Sequence, residues 1–241
     1  MAAVFALFIV ALATVLGSSA ADPDMLQDIC VADYAAGNSL FFFVINSLSI
    51  FPVFQYSTAK SVKVNGFVCK DAANATAEDF FSAGLAKPGL TNNTFGSLVT
   101  AANVQKIPGL NTLGVSLARI DYAPGGINPP HTHPRATEIV YVLEGVLDVG
   151  FITTANKLIS KTIKKGEVFV FPKGLVHFQN NNGKGPASVI AGFNSQLQGT
   201  VNIALTLFAA TPEVPDHVLT KTFQVGTKEV KKIKSRLAPK A

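Results

Sequence analysis

An all-β fold, either a sandwich or a barrel, is predicted by three features of the chain. Short apolar runs follow one another from Asn111 to Phe208, separated by Gly, Pro and other turn residues. At 241 residues the chain can hold one large or two small domains, and β-barrels of this length are often single. Three of the four histidines, together with Glu138, also fall in two short blocks, residues 126–138 and 166–177, each beside a strand-like run.

The elements follow in order. Ala77-Glu78-Asp79-Phe80-Phe81 predicts a short helix, with Thr76 as N-cap and acidic residues in its first turn. Strands are predicted over Thr112–Tyr122 and over Glu138–Val149, the latter turned at Glu144-Gly145. Lys157–Lys164 runs into a turn at Lys165-Gly166, and Val168–Phe171 follows. Val176–Asn180, Ala187–Asn194 and Val201–Phe208 complete the strands. Val230, Ile233 and Leu237 recur at helical spacing, so Thr227–Leu237 is predicted as a C-terminal helix.

The first twenty residues are apolar and end in Leu16-Gly17-Ser18-Ser19-Ala20, which predicts a signal peptide and a mature start at Ala21. An uncleaved anchor is the alternative, opposed by the small-residue end and the polar Ala21-Asp22-Pro23-Asp24. On a secretory route Cys30 and Cys69 are expected to pair, with two buried thiols as the alternative. Asn74-Ala75-Thr76 and Asn92-Asn93-Thr94 become glycosylation candidates at Asn74 and Asn92. The formal charge of +5 is spread thinly, and no basic run alternates with aromatics, so nucleic acid is excluded as a partner. Residues 35–59 carry no charge and approach the length of a membrane span. Asn46, Ser47, Ser49 and Pro52 interrupt them, and no span is expected in the mature protein.

The histidine blocks carry the chemistry. A strand alternates faces with period two, so His131 and His133 project to one side. With Glu138 and His177 they form a ligand set suited to a divalent first-row metal, with positions left open for water or substrate. Ligand type alone leaves zinc, iron or manganese open. A set of satisfied polar residues without an ion would leave the shared spacing unexplained. Tyr122 and Tyr141 are read as barrel packing, Glu144 as a solvated turn residue, and His217 as surface loop. Arg135 and Lys173 are read as rim charges.

These blocks, with Asp22–Asp33 at the mature start, resemble the plant germin-like proteins of the cupin superfamily. Asn111–Ser116, Phe193–Gln196 and Leu205–Phe208 extend the resemblance. It implies a cupin β-jelly-roll barrel at residues 71–241 with a helical C-terminal extension, preceded by a disulfide-stapled segment at 21–70. It implies that His131, His133, Glu138 and His177 hold manganese. It also implies a glycoprotein of the apoplast that assembles with itself as a hexamer, a trimer of dimers.

Two departures stand out. Family members pass from the Cys30–Asp33 block to Ser61–Phe67 within a few residues, whereas this chain inserts about twenty near residues 38–57. Gly37-Asn38 can be encoded with a splice-donor-like GT-A and Phe54-Gln55 with a pyrimidine-rich CAG acceptor, which points to a retained intron or gene-model error. Transcript sequencing checks this: a message encoding Phe41-Phe42-Phe43 in most copies removes the idea. Oxalate-oxidising members also carry an asparagine just before the arginine matched by Arg119, and this chain has Ala118 there. The second cavity asparagine is matched by Asn128.

Three functions are therefore expected in this order. The first is metal-based superoxide dismutation, with hydrogen peroxide released in defence. Oxalate oxidation is second and is weakened by Ala118, because a site built to bond its substrate discriminates when the bond is missing. The third is a non-catalytic wall or receptor-like protein.

Overall fold

The computed structural model describes residues 28–35 and 67–238. The expected signal peptide, the mature start at Ala21 and the insert at 38–57 lie outside the described residues.

Strands β1 (Ala32–Asp33) and β2 (Val68–Cys69) pair antiparallel, with Ala32 opposite Cys69. Cys30 and Cys69 form the expected disulfide beside this ladder. A 3-10 turn over Ala77–Phe80 replaces the short helix predicted at 77–81. Its capping box is formed by Thr76 and Asp79, whose carboxylate also accepts from Lys70 at 2.7 Å.

The strands that follow are β3 (Ser97–Ala102), β4 (Ser116–Tyr122), β5 (Ile127–Thr132) and β6 (Glu138–Glu144). Then come β7 (Val146–Ile152), β8 (Leu158–Lys164), β9 (Val168–Phe171) and β10 (His177–Asn180). β11 (Ala187–Phe193) and β12 (Val201–Asn202) complete the series. Two five-stranded sheets result, ordered β12-β5-β10-β7-β8 and β3-β4-β11-β6-β9. Every recorded pairing is antiparallel, and this is a jelly-roll arrangement.

Alternation along the strands sends one side chain in two to the interior. Ile120, Val140, Val142, Val189 and Ala191 from one sheet meet Leu147, Val149 and Ile163 from the other, all buried in one cluster. The β6–β7 turn depends on Gly145, at φ 80°, where an added Cβ would sit 2.6 Å from the Cβ of Ala187. On the outward face of the second sheet, Leu117, Ile139, Tyr141, Val168 and Val170 are exposed. The ladder makes them near neighbours: Gly192 pairs with both Leu117 and Ile139, Ile139 with Val170, and Tyr141 with Val168.

Four expectations are corrected. The strand predicted from Thr112 begins at Ser116, because Thr112 at φ 66° and Gly114 at φ 68° turn the chain first. The strand predicted over Val201–Phe208 is β12 followed by helix α1 (Ile203–Phe208). There the Asn202 side chain accepts from the Leu205 amide and starts the helix. His217 is exposed but helical, in α2 (Asp216–Phe223). Tyr141 faces outward at 46% exposure instead of packing inside. The C-terminal helix α3 (Thr227–Leu237) has the expected bounds, and its Lys234 meets Asp216 at 2.7 Å and Glu213 at 2.8 Å.

Candidate metal centre

His131 is the penultimate residue of β5 and the cross-strand partner of His177 on β10, so their side chains share the inner face. His133, expected on the same strand, lies one residue past its end at Thr132, and Glu138 opens β6 in the opposite sheet. All four are buried, and one ligand atom from each lies within 4.8 Å of the others. The four residues singled out in the sequence thus converge in space.

The hydrogen bonds decide how the rings present themselves. Nδ1 of His131 faces the Pro129 carbonyl at 2.8 Å, Nδ1 of His177 faces the Leu175 carbonyl at 2.8 Å, and Nδ1 of His133 faces the Gly199 carbonyl at 2.5 Å. A carbonyl oxygen can only accept, so each Nδ1 carries the hydrogen and each Nε2 presents a lone pair. Two of those lone pairs converge on Oε2 of Glu138, at 2.9 Å from His133 and 3.1 Å from His177. Acceptors facing acceptors at such distances require a proton or a cation between them. The donor set therefore fits a divalent ion on its chemistry.

The electrostatics agree. Burial, followed by the charge of His177, lowers the His131 pKa to about 4, so this ring is neutral near neutrality and ready as a ligand. Burial raises the Glu138 pKa, but without an ion the hydrogen bonds and charge of protonated His133 and His177 outweigh it and bring it to about 2. Its carboxylate is therefore ionised. Phe171 stacks on the His177 ring at 4.6 Å between centroids, and Phe193 meets His133 edge-on at 5.0 Å.

A local irregularity in β5 shapes the site further. Between the pairs His177/His131 and Gln179/Asn128, β10 advances two residues while β5 advances three. The extra residue falls at Pro129-Pro130, which cannot donate to a ladder. Asn128 thereby becomes the partner of Gln179 and shares the inner face with His131, although they are three apart in sequence.

Ala118 is fully buried on the inner wall. It lies in the row Ala118, Ala191, Val140, Phe169, next to the row that contains Glu138. None of these side chains can bond a carboxylate. Gln179 was missed by sequence reasoning: it is fully buried, and its Nε2 donates to Oε1 of Glu138 at 3.3 Å. Its position two residues after His177, on the same strand face, was the available signal.

The remaining residues fall as follows. Glu144 is exposed at the strand turn. Tyr122 is buried as expected, and its hydroxyl reaches Gln179 at 3.4 Å. Arg135 is exposed, and its Nε donates to the Leu197 carbonyl at 2.7 Å. Lys173, Asn74 and Asn92 are exposed. No helix among the described residues is long and apolar enough to cross a membrane.

Comparison with known proteins places this geometry. The pattern of the Cupin family matches residues 83–231. The "Rhicadhesin receptor" of Pisum sativum is 70% identical over 217 residues, covering 90% of this chain and 89% of that protein. "Germin-like protein subfamily 2 member 1" of Arabidopsis thaliana is 65% identical over 223 residues, covering 92% and 91%. A solved structure of oxalate oxidase matches with a TM-score of 0.77 at 45% identity, covering 90% of this chain and 98% of that one.

Proposed function

The chain belongs to the germin-like proteins of the cupin family, and on that premise we propose that it is a secreted manganese protein of the plant apoplast that dismutes superoxide in defence. His131, His133, Glu138 and His177 would hold the ion, which when bound supplies a one-electron couple. Two superoxide ions and two protons then give dioxygen and hydrogen peroxide.

Ala118 carries the choice of substrate. It puts a methyl group on the buried wall beside the Glu138 row, so that wall offers no amide to hold a dicarboxylate. Asn128, on the inner face opposite Gln179, is the one amide kept of the two that the resemblance leads us to expect. Superoxide needs only an open ligand position and a proton. Oxalate oxidase remains the alternative, favoured by the 45% identity to a structure of that enzyme.

A non-catalytic, receptor-like role is the third reading, favoured by the name of the Pisum sativum relative. We include in the proposal a signal peptide at 1–20, glycans on the exposed Asn74 and Asn92, and a homohexamer built as a trimer of dimers. The exposed apolar face of the second sheet supports self-association.

The test is metal analysis of the secreted protein with paired assays. Manganese-loaded protein is expected to remove superoxide and to release no peroxide from oxalate, and His131→Ala is expected to abolish the first activity. Superoxide removal that survives in metal-free His131→Ala protein would discard dismutation. Peroxide from oxalate would promote the alternative, and two blank assays with manganese bound would leave the receptor-like role.

A further inference from the structure

Gln179 occupies an interior position where an apolar side chain would be expected. Its cross-strand neighbour Val149 is fully buried and belongs to the apolar core cluster. Burying an amide in such surroundings is unfavourable unless its polar atoms are satisfied. Both ends of Gln179 are. Its Nε2 donates to Oε1 of Glu138 at 3.3 Å, and its Oε1 accepts from the Tyr122 hydroxyl at 3.4 Å. An ionised carboxylate can only accept, which fixes the amide with nitrogen toward Glu138 and leaves its oxygen to the tyrosine.

The two oxygens of Glu138 are thus divided. Oε2 faces the Nε2 atoms of His133 and His177, while Oε1 is engaged by Gln179. We propose that Tyr122 and Gln179 are positioning residues that hold Glu138 to one-oxygen ligation and tune the ion's affinity and electronic environment. This inference rests on the metal site proposed above. An engaged Oε1 is withheld from the ion, so a position stays free for a small exogenous ligand. Polarisation of the carboxylate through the amide also weakens its donation at Oε2.

Full-length secreted protein tests this with Mn(II) as the probe. Gln179→Leu keeps the approximate shape and removes both hydrogen bonds. Tyr122→Phe removes one oxygen, and the double variant measures their coupling. Chelator competition is expected to show Mn(II) affinity changed about 10–100-fold in Gln179→Leu, in line with outer-shell partners elsewhere. A smaller change is expected in Tyr122→Phe, with no further change in the double variant. The Mn(II) electron paramagnetic resonance spectrum is expected to change in both single variants, a response that packing alone would not produce.

Wild-type affinity and spectrum in Gln179→Leu would overturn the proposal. If that variant does not fold, Tyr122→Phe decides alone: an unchanged spectrum overturns the proposal and a changed one supports it. A wild-type protein that binds no divalent ion overturns the site itself. Binding in the wild type with unresponsive variants overturns only the positioning role.

Discussion

Nε2 of His177 lies 3.1 Å from Oε2 of Glu138, although the residues stand 39 positions apart and belong to opposite sheets. Since His177 and its neighbours present lone pairs to an ionised carboxylate, the contact is completed by a positive charge. An ion held there joins the two sheets, and its loss is felt by the whole barrel.

Removing the ion is therefore expected to lower the melting temperature. A ligand present at one hundred times its dissociation constant stabilises by about 2.7 kcal/mol. Calorimetry before and after chelation measures this, and an unchanged transition would show that the ion contributes nothing to the fold. Glu138→Gln should weaken divalent-ion binding while leaving the protein folded, which metal analysis and circular dichroism check.

The metal-free protein should be acid-sensitive through His131. Its folded pKa is lowered to about 4 from 6.5, so between those values the unfolded chain binds more protons. Stability then rises with pH through this window and falls on acidification, by on the order of 3 kcal/mol. Denaturant titrations of stripped protein across the window check the sign; a flat response would contradict it.

Phe171 is 1% exposed and stacked on His177, so Phe171→Ala both opens a cavity and frees a ligand ring. A loss of about 3–5 kcal/mol is expected in chemical denaturation, together with weaker metal binding. Phe171→Leu should keep most of the stability and still weaken metal retention.

Ala118→Asn restores an amide to the inner wall. Gain of oxalate-dependent peroxide release would support the reading of that position. If the folded, manganese-loaded variant stays inert toward oxalate, Ala118 is not what denies the substrate.

Reduction of Cys30–Cys69 should cost about 4 kcal/mol, from a loop whose ends are 39 residues apart. Deleting residues 38–57 shortens that loop by roughly half, which alters the closure entropy by only about 0.6 kcal/mol. Because β1 and β2 are already paired on either side, the deleted protein is expected to keep its metal content and its melting behaviour. A collapse of either would mean that the segment is integral to the fold.

The candidate ligands were legible because a metal site demands particular side chains at particular spacings, and His131, His133, Glu138 and His177 have few other uses in that pattern. Most inner strands were legible from alternation and glycine turns. Val201–Phe208 was not, because a short apolar run suits a strand or a helix equally, and the Asn202 cap settles it. A strand at His131 was read from the sequence, but its bounds were hidden by Pro129-Pro130, and its slipped pairing with β10 exists only between strands. Gln179 was hidden for a related reason: nothing in the chain says that its amide meets a carboxylate 41 residues away.

The oily panel formed by Leu117, Ile139, Tyr141, Val168 and Val170 has a consequence for handling and for physiology. A lone copy must wet it, and water does so reluctantly. If copies cover it for one another, as proposed, dilution uncovers it and makes the protein adhere to surfaces, so its working concentration sets its solubility as much as its charge does.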